Sequence, residues 1–109
     1  MLAEVAEVGR KYDLTIANVF HAGDGNLHPL ICYDETVPGS TERALKAGSE
    51  ILAACVRAGG TISGEHGIGI EKMQDMKVVF TADELAVQKA VHDALDPRDL
   101  SNPGKMFPA

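Results

Sequence analysis

The run from His21 to His28 constrains the fold of this chain more than any other feature of the sequence. It reads His-Ala-Gly-Asp-Gly-Asn-Leu-His, and stretches rich in Ile, Val, Phe and Leu flank it. An Asp-Gly pair between two such stretches predicts a β-hairpin, because a two-residue turn of the primed type favours these residues at its central positions. With Asp24 and Gly25 in the turn, His21 lies opposite His28. Opposed residues share one face of a sheet, with Cβ atoms about 4.5–5.5 Å apart, so both imidazoles are expected to meet.

A second polar cluster, Glu65-His66, lies between glycines further along the chain. Two imidazoles and a carboxylate are a common ligand set for Zn, Mn or Fe, and three protein ligands leave coordination positions open for a substrate. We therefore predict that His21, His28 and Glu65 bind a catalytic divalent metal. The alternative is that both histidines are ordinary strand residues, one of them hydrogen-bonded in the core.

His66 has a separate predicted role. Successive side chains alternate in extended backbone, so His66 is not expected to point at the ion that Glu65 binds. An imidazole beside a metal site suits a general base, whereas the alternative is that it only caps a loop. Asn26 is most simply a turn residue, although its side chain can also donate to a ligand. The loop glycines do not fit a nucleotide-binding loop and are expected to permit close backbone approach; they are Gly64, Gly67 and Gly69.

The remaining apolar pattern predicts an α+β fold. Helical spacing indicates helices over residues 2–12, 41–57, 70–77 and from a capping box at Thr81 and Glu84 to about 95, and extended stretches indicate strands over 15–21, 27–33 and 61–63. We expect a small antiparallel sheet, formed by the hairpin and a third strand, with helices packed on one face and a helical C-terminal segment. The apolar residues of the last helix are expected to face inward.

Composition excludes several classes of protein. The 109 residues suffice for one domain, and the net charge of −6, with no basic block, argues against nucleic-acid binding. The apolar stretches are too short to span a membrane, and the N-terminus lacks the apolar centre of a signal peptide. Two cysteines do not indicate a disulfide scaffold. The expected compartment is the cytoplasm, or the cytoplasmic face of a larger assembly.

Three motifs together resemble a known family. HAGDGNLHP, GGTISGEHGIGIEK and DPRDLSNPGKMFP occur in this order over nearly the whole chain. They closely resemble the C-terminal domain of FAD-linked oxidases of the vanillyl-alcohol oxidase type. Within that family the resemblance is greatest to glycolate oxidase D subunits and to D-lactate and D-2-hydroxyglutarate dehydrogenases. It implies a flavoenzyme that oxidises a D-2-hydroxy acid to the 2-oxo acid by hydride transfer to FAD.

The resemblance also implies site residues. In metal-dependent relatives the positions of His21, His28 and Glu65 bind a divalent ion, often zinc, and the position of His66 is the proposed base. The resemblance implies that three further residues lie near the flavin or the domain junction: Asn26, Asn102 and Lys105. The hydroxyglutarate relatives have a polar Asn two residues after the second His, where this chain has Leu30. This departure favours a small substrate such as glycolate or lactate.

The family's flavin-binding domain has no counterpart in these residues. We therefore expect residues 1–109 to form a single domain, the C-terminal portion of an FAD-linked oxidase, inactive by itself. The expected partners are the flavin domain, an iron–sulfur or other electron-transfer subunit, and a second copy of the chain. A second hypothesis is a non-catalytic cap or oligomerisation module. A third is a metal-dependent hydrolase, for which the sequence offers neither a nucleophile nor an oxyanion hole.

Overall fold

A computed structural model describes residues 1–108 and divides the chain into two compact units, residues 1–60 and the residues from Thr61 onward. The elements are α1 (Leu2–Tyr12), β1 (Thr15–His21), β2 (Asn26–Cys32), α2 (Ser40–Arg57), α3 (Met76–Val79) and α4 (Ala82–Leu95). The predicted α+β class is confirmed. In the described part of the chain no helix is both long and apolar enough to cross a membrane, and Cys32 and Cys55 are not bridged.

The first unit packs α1 and α2 against the antiparallel hairpin β1–β2. Helix α1 contacts α2 and β1, and α2 also contacts β2. The core consists of buried residues from both helices, namely Val5, Val8, Ala47 and Ile51. The hairpin contributes Ile16 and Ile31, which are paired across the strands and pack against that core. Their face of the hairpin is therefore the inner face, and alternation along each strand directs the neighbouring side chains outward.

A polar link also joins the two helices of the first unit. Lys11 Nζ lies 2.6 Å from Glu50 Oε2, and Tyr12 Oη donates to the same oxygen at 2.9 Å. The hydrogen bonds from Lys11 and Tyr12 lower the pKa of Glu50 below its ordinary value of 4.5. Glu50 in turn raises the pKa of Lys11.

The predicted third strand is wrong. The sheet contains only β1 and β2 among the residues that the structure describes. Residues 61–63 form no strand, although Ile62 is buried. The carbonyl of Ile62 instead accepts a hydrogen bond from Lys72 Nζ at 3.0 Å. Three residues followed by a glycine-rich loop can form few hydrogen bonds to a neighbouring strand. The Lys72 side chain satisfies the carbonyl of Ile62 without such a strand.

In the second unit, the helix predicted over residues 70–77 is largely a series of turns. Residues 69–75 are joined by bonds such as that from Asp75 N–H to Lys72 O at 3.0 Å, and only Met76–Val79 is helical. The capping box that opens α4 is confirmed. Thr81 N–H donates to Glu84 Oε2 at 2.7 Å, and Glu84 N–H donates to Thr81 Oγ1 at 3.3 Å.

The inward orientation predicted for the apolar residues of α4 is wrong for Val87, Val91 and Leu95, whereas Leu85 is half-buried. Val87, Val91 and Leu95 are 65%, 56% and 83% exposed, and no residue of α4 is buried. They lie four residues apart and so form one apolar stripe on the helix surface. Periodicity predicted which residues share a face but not whether another element covers that face.

Glu50→Gln tests the polar link between α1 and α2. Because folding lowers the pKa of Glu50, its stabilising contribution is present above the ordinary value and disappears as the pH falls through the folded value. We expect the variant to unfold at lower urea concentration than wild type at pH 7, and the difference to shrink below pH 4.5. Glu35→Gln, at an exposed position, is the matched control. An E50Q difference that is as large at pH 3 as at pH 7 contradicts the assignment.

Candidate metal centre

The hairpin has a different register from the one predicted. His21 pairs with Asn26, and His28 pairs with Val19, so the strands are joined by the four residues 22–25. The predicted two-residue turn needs positive φ at both central positions. Only Gly25 has it, at 69°, while Asp24 N–H donates to His21 O at 3.1 Å and closes an ordinary turn. The direct His21–His28 pairing is therefore wrong.

The two imidazoles nevertheless meet. The observed register differs from the predicted one by two residues, and only a shift by an odd number moves a side chain to the opposite face. His21 and His28 are diagonal neighbours on one face of the hairpin, a spacing that ring side chains can bridge. Their ring centroids lie 5.4 Å apart at an interplanar angle of 76°. The expectation that the two rings lie close together on one face of the sheet is confirmed.

The face that carries the histidines is the outer face of the hairpin. It lies opposite the Ile16–Ile31 pair, and it also carries Asn26 and Leu30. His21 is exposed and His28 is half-buried, with its Nε2 shielded from solvent. The sheet thus presents two imidazoles and one amide at the end near the loop, and an aliphatic side chain beyond them.

The spacing of the rings fits a shared divalent ion. A zinc ion about 2.1 Å from one nitrogen of each ring lies about 3.2 Å from each ring centroid. At a tetrahedral angle the centroids are then about 5.2 Å apart, close to the observed 5.4 Å. Neutral imidazoles suit Zn, Mn and Fe, so the donor chemistry agrees with the geometry.

The loop that carries Glu65 and His66 belongs to the second unit. Residues 64–66 form a bend, and His66 Nε2 lies 3.9 Å from Glu65 Oε2. The extended backbone assumed for these two residues is wrong, because the chain bends here and the two side chains lie close together. The side chains are 47% exposed for Glu65 and 74% for His66. Gly67 N–H donates to Ser63 Oγ at 2.8 Å and closes the loop.

The glycines after this bend do not permit the close backbone approach that was predicted for them. Gly67 and Gly69 have φ of 77° and 58°, and a Cβ at either position would meet nothing within 4 Å. They supply left-handed backbone and not close approach. Gly69 O also accepts a hydrogen bond from Met106 N–H at 2.8 Å, which ties the C-terminal segment to the loop.

The two C-terminal residues that the resemblance places near the flavin lie close to each other. Lys105 Nζ donates to Asn102 Oδ1 at 3.4 Å. Asn102 has a φ of 54°, in the left-handed region that Asn tolerates better than most residues. Both side chains are exposed. An ammonium group and an amide thus lie side by side on one exposed turn of the second unit.

Comparison with known families matches residues 1–106 to the FAD linked oxidases, C-terminal domain. The chain belongs to this family, and the resemblance found in its motifs is confirmed. It is therefore related to a class of flavin-dependent oxidoreductases.

Several curated proteins are similar over most of the chain. Glycolate oxidase subunit GlcD of Escherichia coli strain K12 is 52% identical over 99% of this chain and 22% of its own length. D-2-hydroxyglutarate dehydrogenase of Xanthomonas citri pv. viticola is 39% identical over 80% of the chain and 19% of its own length. The mitochondrial D-lactate dehydrogenase [cytochrome] of Arabidopsis thaliana is 33% identical over 83% and 16%. The chain spans about a fifth of the length of these relatives.

Ser63→Ala tests the closure of the loop that carries Glu65 and His66. The variant removes the acceptor of Gly67 N–H, a bond worth about 1 kcal/mol. We expect the Gly67 amide to exchange with solvent about fivefold faster, as measured by NMR hydrogen exchange. Ser63→Thr keeps the hydroxyl and should restore the wild-type rate. Equal exchange in wild type and S63A would show that the bond does not close the loop.

Proposed function

We propose that this chain forms the substrate- and metal-binding part of an FAD-dependent oxidoreductase that oxidises a small D-2-hydroxy acid, glycolate or lactate, to the 2-oxo acid. The observation that carries the proposal is the pair of imidazoles, 5.4 Å apart on one face of the hairpin, in a member of the FAD-linked oxidase family. The names of the relatives, which include glycolate oxidase and D-lactate dehydrogenase, support the substrate class. Residues 1–109 then act as the C-terminal portion of a longer enzyme.

The ligands that we assign to a divalent ion, zinc by preference, are His21, His28 and Glu65. The two imidazoles supply the neutral nitrogen donors, and the carboxylate supplies the negative charge that a divalent cation needs. When bound, the ion supplies a Lewis acid that lowers the pKa of the substrate hydroxyl. Three protein ligands leave room for the hydroxyl and the carboxylate of a 2-hydroxy acid.

His66 is proposed as the general base. Its side chain is 74% exposed, so its imidazole can approach a proton on a bound ligand. It lies next to Glu65 in sequence, which would keep it near the metal without requiring it to be a ligand. A neutral imidazole accepts protons close to neutral pH, so His66 would take the hydroxyl proton of the substrate.

The proposed cofactor is FAD, bound for the most part by a flavin-binding domain outside these residues. FAD supplies the hydride acceptor when bound. Asn102 and Lys105 offer the amide and the ammonium of one turn to the flavin or to the domain junction. Asn26, on the same face as the histidines, offers a further donor.

We further propose that the electrons pass to an iron–sulfur or other electron-transfer subunit. The enzyme is proposed to be a homo-oligomer, and to work at the cytoplasmic face of a membrane or in the cytoplasm.

A small substrate is favoured by the aliphatic part of the histidine-bearing face. Leu30 lies two residues after His28 on that face, and Val19 pairs with His28 across the strands. A second carboxylate placed there would lose water without gaining a partner, which is costly. The methyl group of lactate or the hydrogen atom of glycolate at the same place has no such hydration to lose.

The second candidate function, a non-catalytic cap or oligomerisation module, is favoured by the exposed stripe Val87, Val91 and Leu95 on α4. Contiguous exposed apolar residues are typical of interaction surfaces. A visible absorption spectrum of the intact protein that contains this domain separates the two functions. Bound flavin supports the catalytic part, and a colourless protein supports the module.

The metal ligands are tested by metal content in the intact oxidase that contains this domain. We expect His21→Ala, His28→Ala and Glu65→Gln each to lower bound zinc and turnover by at least about tenfold. Glu71→Gln, at an exposed position a few residues after Glu65, is the matched control and should keep both at the wild-type level. Full zinc content in E65Q would remove Glu65 from the ligand set.

The base is tested by His66→Asn in the same enzyme. Loss of a general base should lower kcat by at least about a hundredfold, while the zinc content stays at the wild-type level. A wild-type kcat contradicts the role of His66 as the base. Loss of zinc together with kcat would instead make His66 a metal ligand.

A further inference from the structure

A cluster of three side chains at the C-terminal end of α4 has no part in the function proposed above. His92, Asp96 and Asp99 each offer one ligand atom, and these atoms all lie within 4.8 Å of one another. All three residues belong to the second unit. We propose that they form a separate binding site for a divalent transition-metal ion. This site could not be predicted from local patterns, because His92 alone on a helix is most simply a surface residue.

The local backbone brings the three donors together. His92 and Asp96 are four residues apart at the end of α4, so they lie on one side of the helix. Asp99 returns to that side through a tight turn, in which its N–H donates to Asp96 O at 2.9 Å. Asp99 itself has a φ of 47°, in the left-handed region that Asp adopts more readily than most residues.

The imidazole of His92 is oriented as metal-binding histidines are. Its Nδ1 lies 3.1 Å from Asp93 Oδ1, so the neutral ring can donate Nδ1–H and keep the lone pair on Nε2. A carboxylate behind the ring, bonded to the other nitrogen, is the usual support of a histidine ligand. Lys89 Nζ holds the Asp93 carboxylate at 2.9 and 2.7 Å. Phe107 packs edge-on against the His92 ring, with centroids 5.6 Å apart.

The distance between His92 and Asp99 fits two ligands of one ion better than a hydrogen bond. His92 Nε2 lies 3.7 Å from Asp99 Oδ1, beyond the roughly 3.2 Å upper range of an N–H···O bond. Two donors about 2.1 Å from a tetrahedral ion are about 3.4 Å apart. The observed gap therefore closes around an ion with a movement of a few tenths of an ångström.

The charge of the cluster also suits a divalent ion. Backbone hydrogen bonds from Ser101 and Leu100 lower the pKa of Asp96. The N–H of Ser101 donates to Asp96 Oδ2 at 2.7 Å and fixes its orientation. The carboxylates of Asp96 and Asp99 balance the charge of the cation. The imidazole favours Zn, Co or Mn over Mg and Ca. A bound ion would join the 96–99 turn to α4 and so stabilise the start of the C-terminal segment.

The test titrates Zn²⁺ into the 109-residue chain carrying His21→Ala and His28→Ala, which removes the other candidate ligands of the first unit. We expect one equivalent to bind. Adding Asp99→Asn should weaken this binding by at least about a hundredfold, and adding Asp93→Asn by about 10- to 100-fold. Asp83→Asn, in the first turn of the same helix, is the matched control and should change nothing. The proposal is overturned if the double variant binds no zinc, or binds it equally well with and without D99N.

A second measurement distinguishes loss of the site from misfolding of the variants. Co²⁺ added to the H21A/H28A chain should shift the NMR signals of residues 89–101, and Zn²⁺ should raise its melting temperature. His92→Gln, which keeps the bulk of the side chain, should abolish both effects while the remaining spectrum stays dispersed. Shifts that are centred elsewhere in the chain contradict the site. Failure of this site and failure of the proposed hairpin site can be told apart. All measurements of this site use the H21A/H28A chain, whereas zinc binding at the hairpin is the difference between wild type and H21A/H28A.

Discussion

The arrangement of the candidate metal centre depends on the burial of the inner face of the hairpin. Ile16 and Ile31 are paired across the strands and pack against Val5, Val8 and their neighbours in the helices. Burial of one face specifies the register of a strand, because a slip by one residue would expose the apolar set to water. The same constraint fixes what the other face displays. His21 and His28 therefore share the outer face because the isoleucines occupy the inner one.

Much of the fold was predictable from local signals. The ends of α1 and β1 followed from periodicity, and the start of α4 followed from its capping box. The hairpin register did not follow, because the turn residues at 24 and 25 were equally compatible with a longer loop. A third strand was predicted at Ile62, where a lysine side chain, ten residues away, satisfies the carbonyl instead. Such contacts between distant residues leave no trace in a local pattern.

The site was predictable only in part, for the same reason. That His21 and His28 share a face follows from the alternation of strand side chains, and it survived an error of two residues in the register. The relation between Glu65 and His66 depends on a bend, which the assumption of extended backbone could not anticipate. The cluster of His92 with Asp99 depends on the turn from Asp96 to Asp99, in which Asp99 has a φ of 47°. Asn102 also has a positive φ, and neither position carries the glycine that usually indicates left-handed backbone.

The outer face of the hairpin presents two imidazoles at the spacing that one shared ion requires. The ¹⁵N NMR signals of the histidine rings during a zinc titration of the chain show whether both rings bind that ion. We expect the ring signals of His21 and His28 to shift together, with the same dependence on zinc concentration. Shifts that occur at only one of the two rings, or at different zinc concentrations, would contradict it.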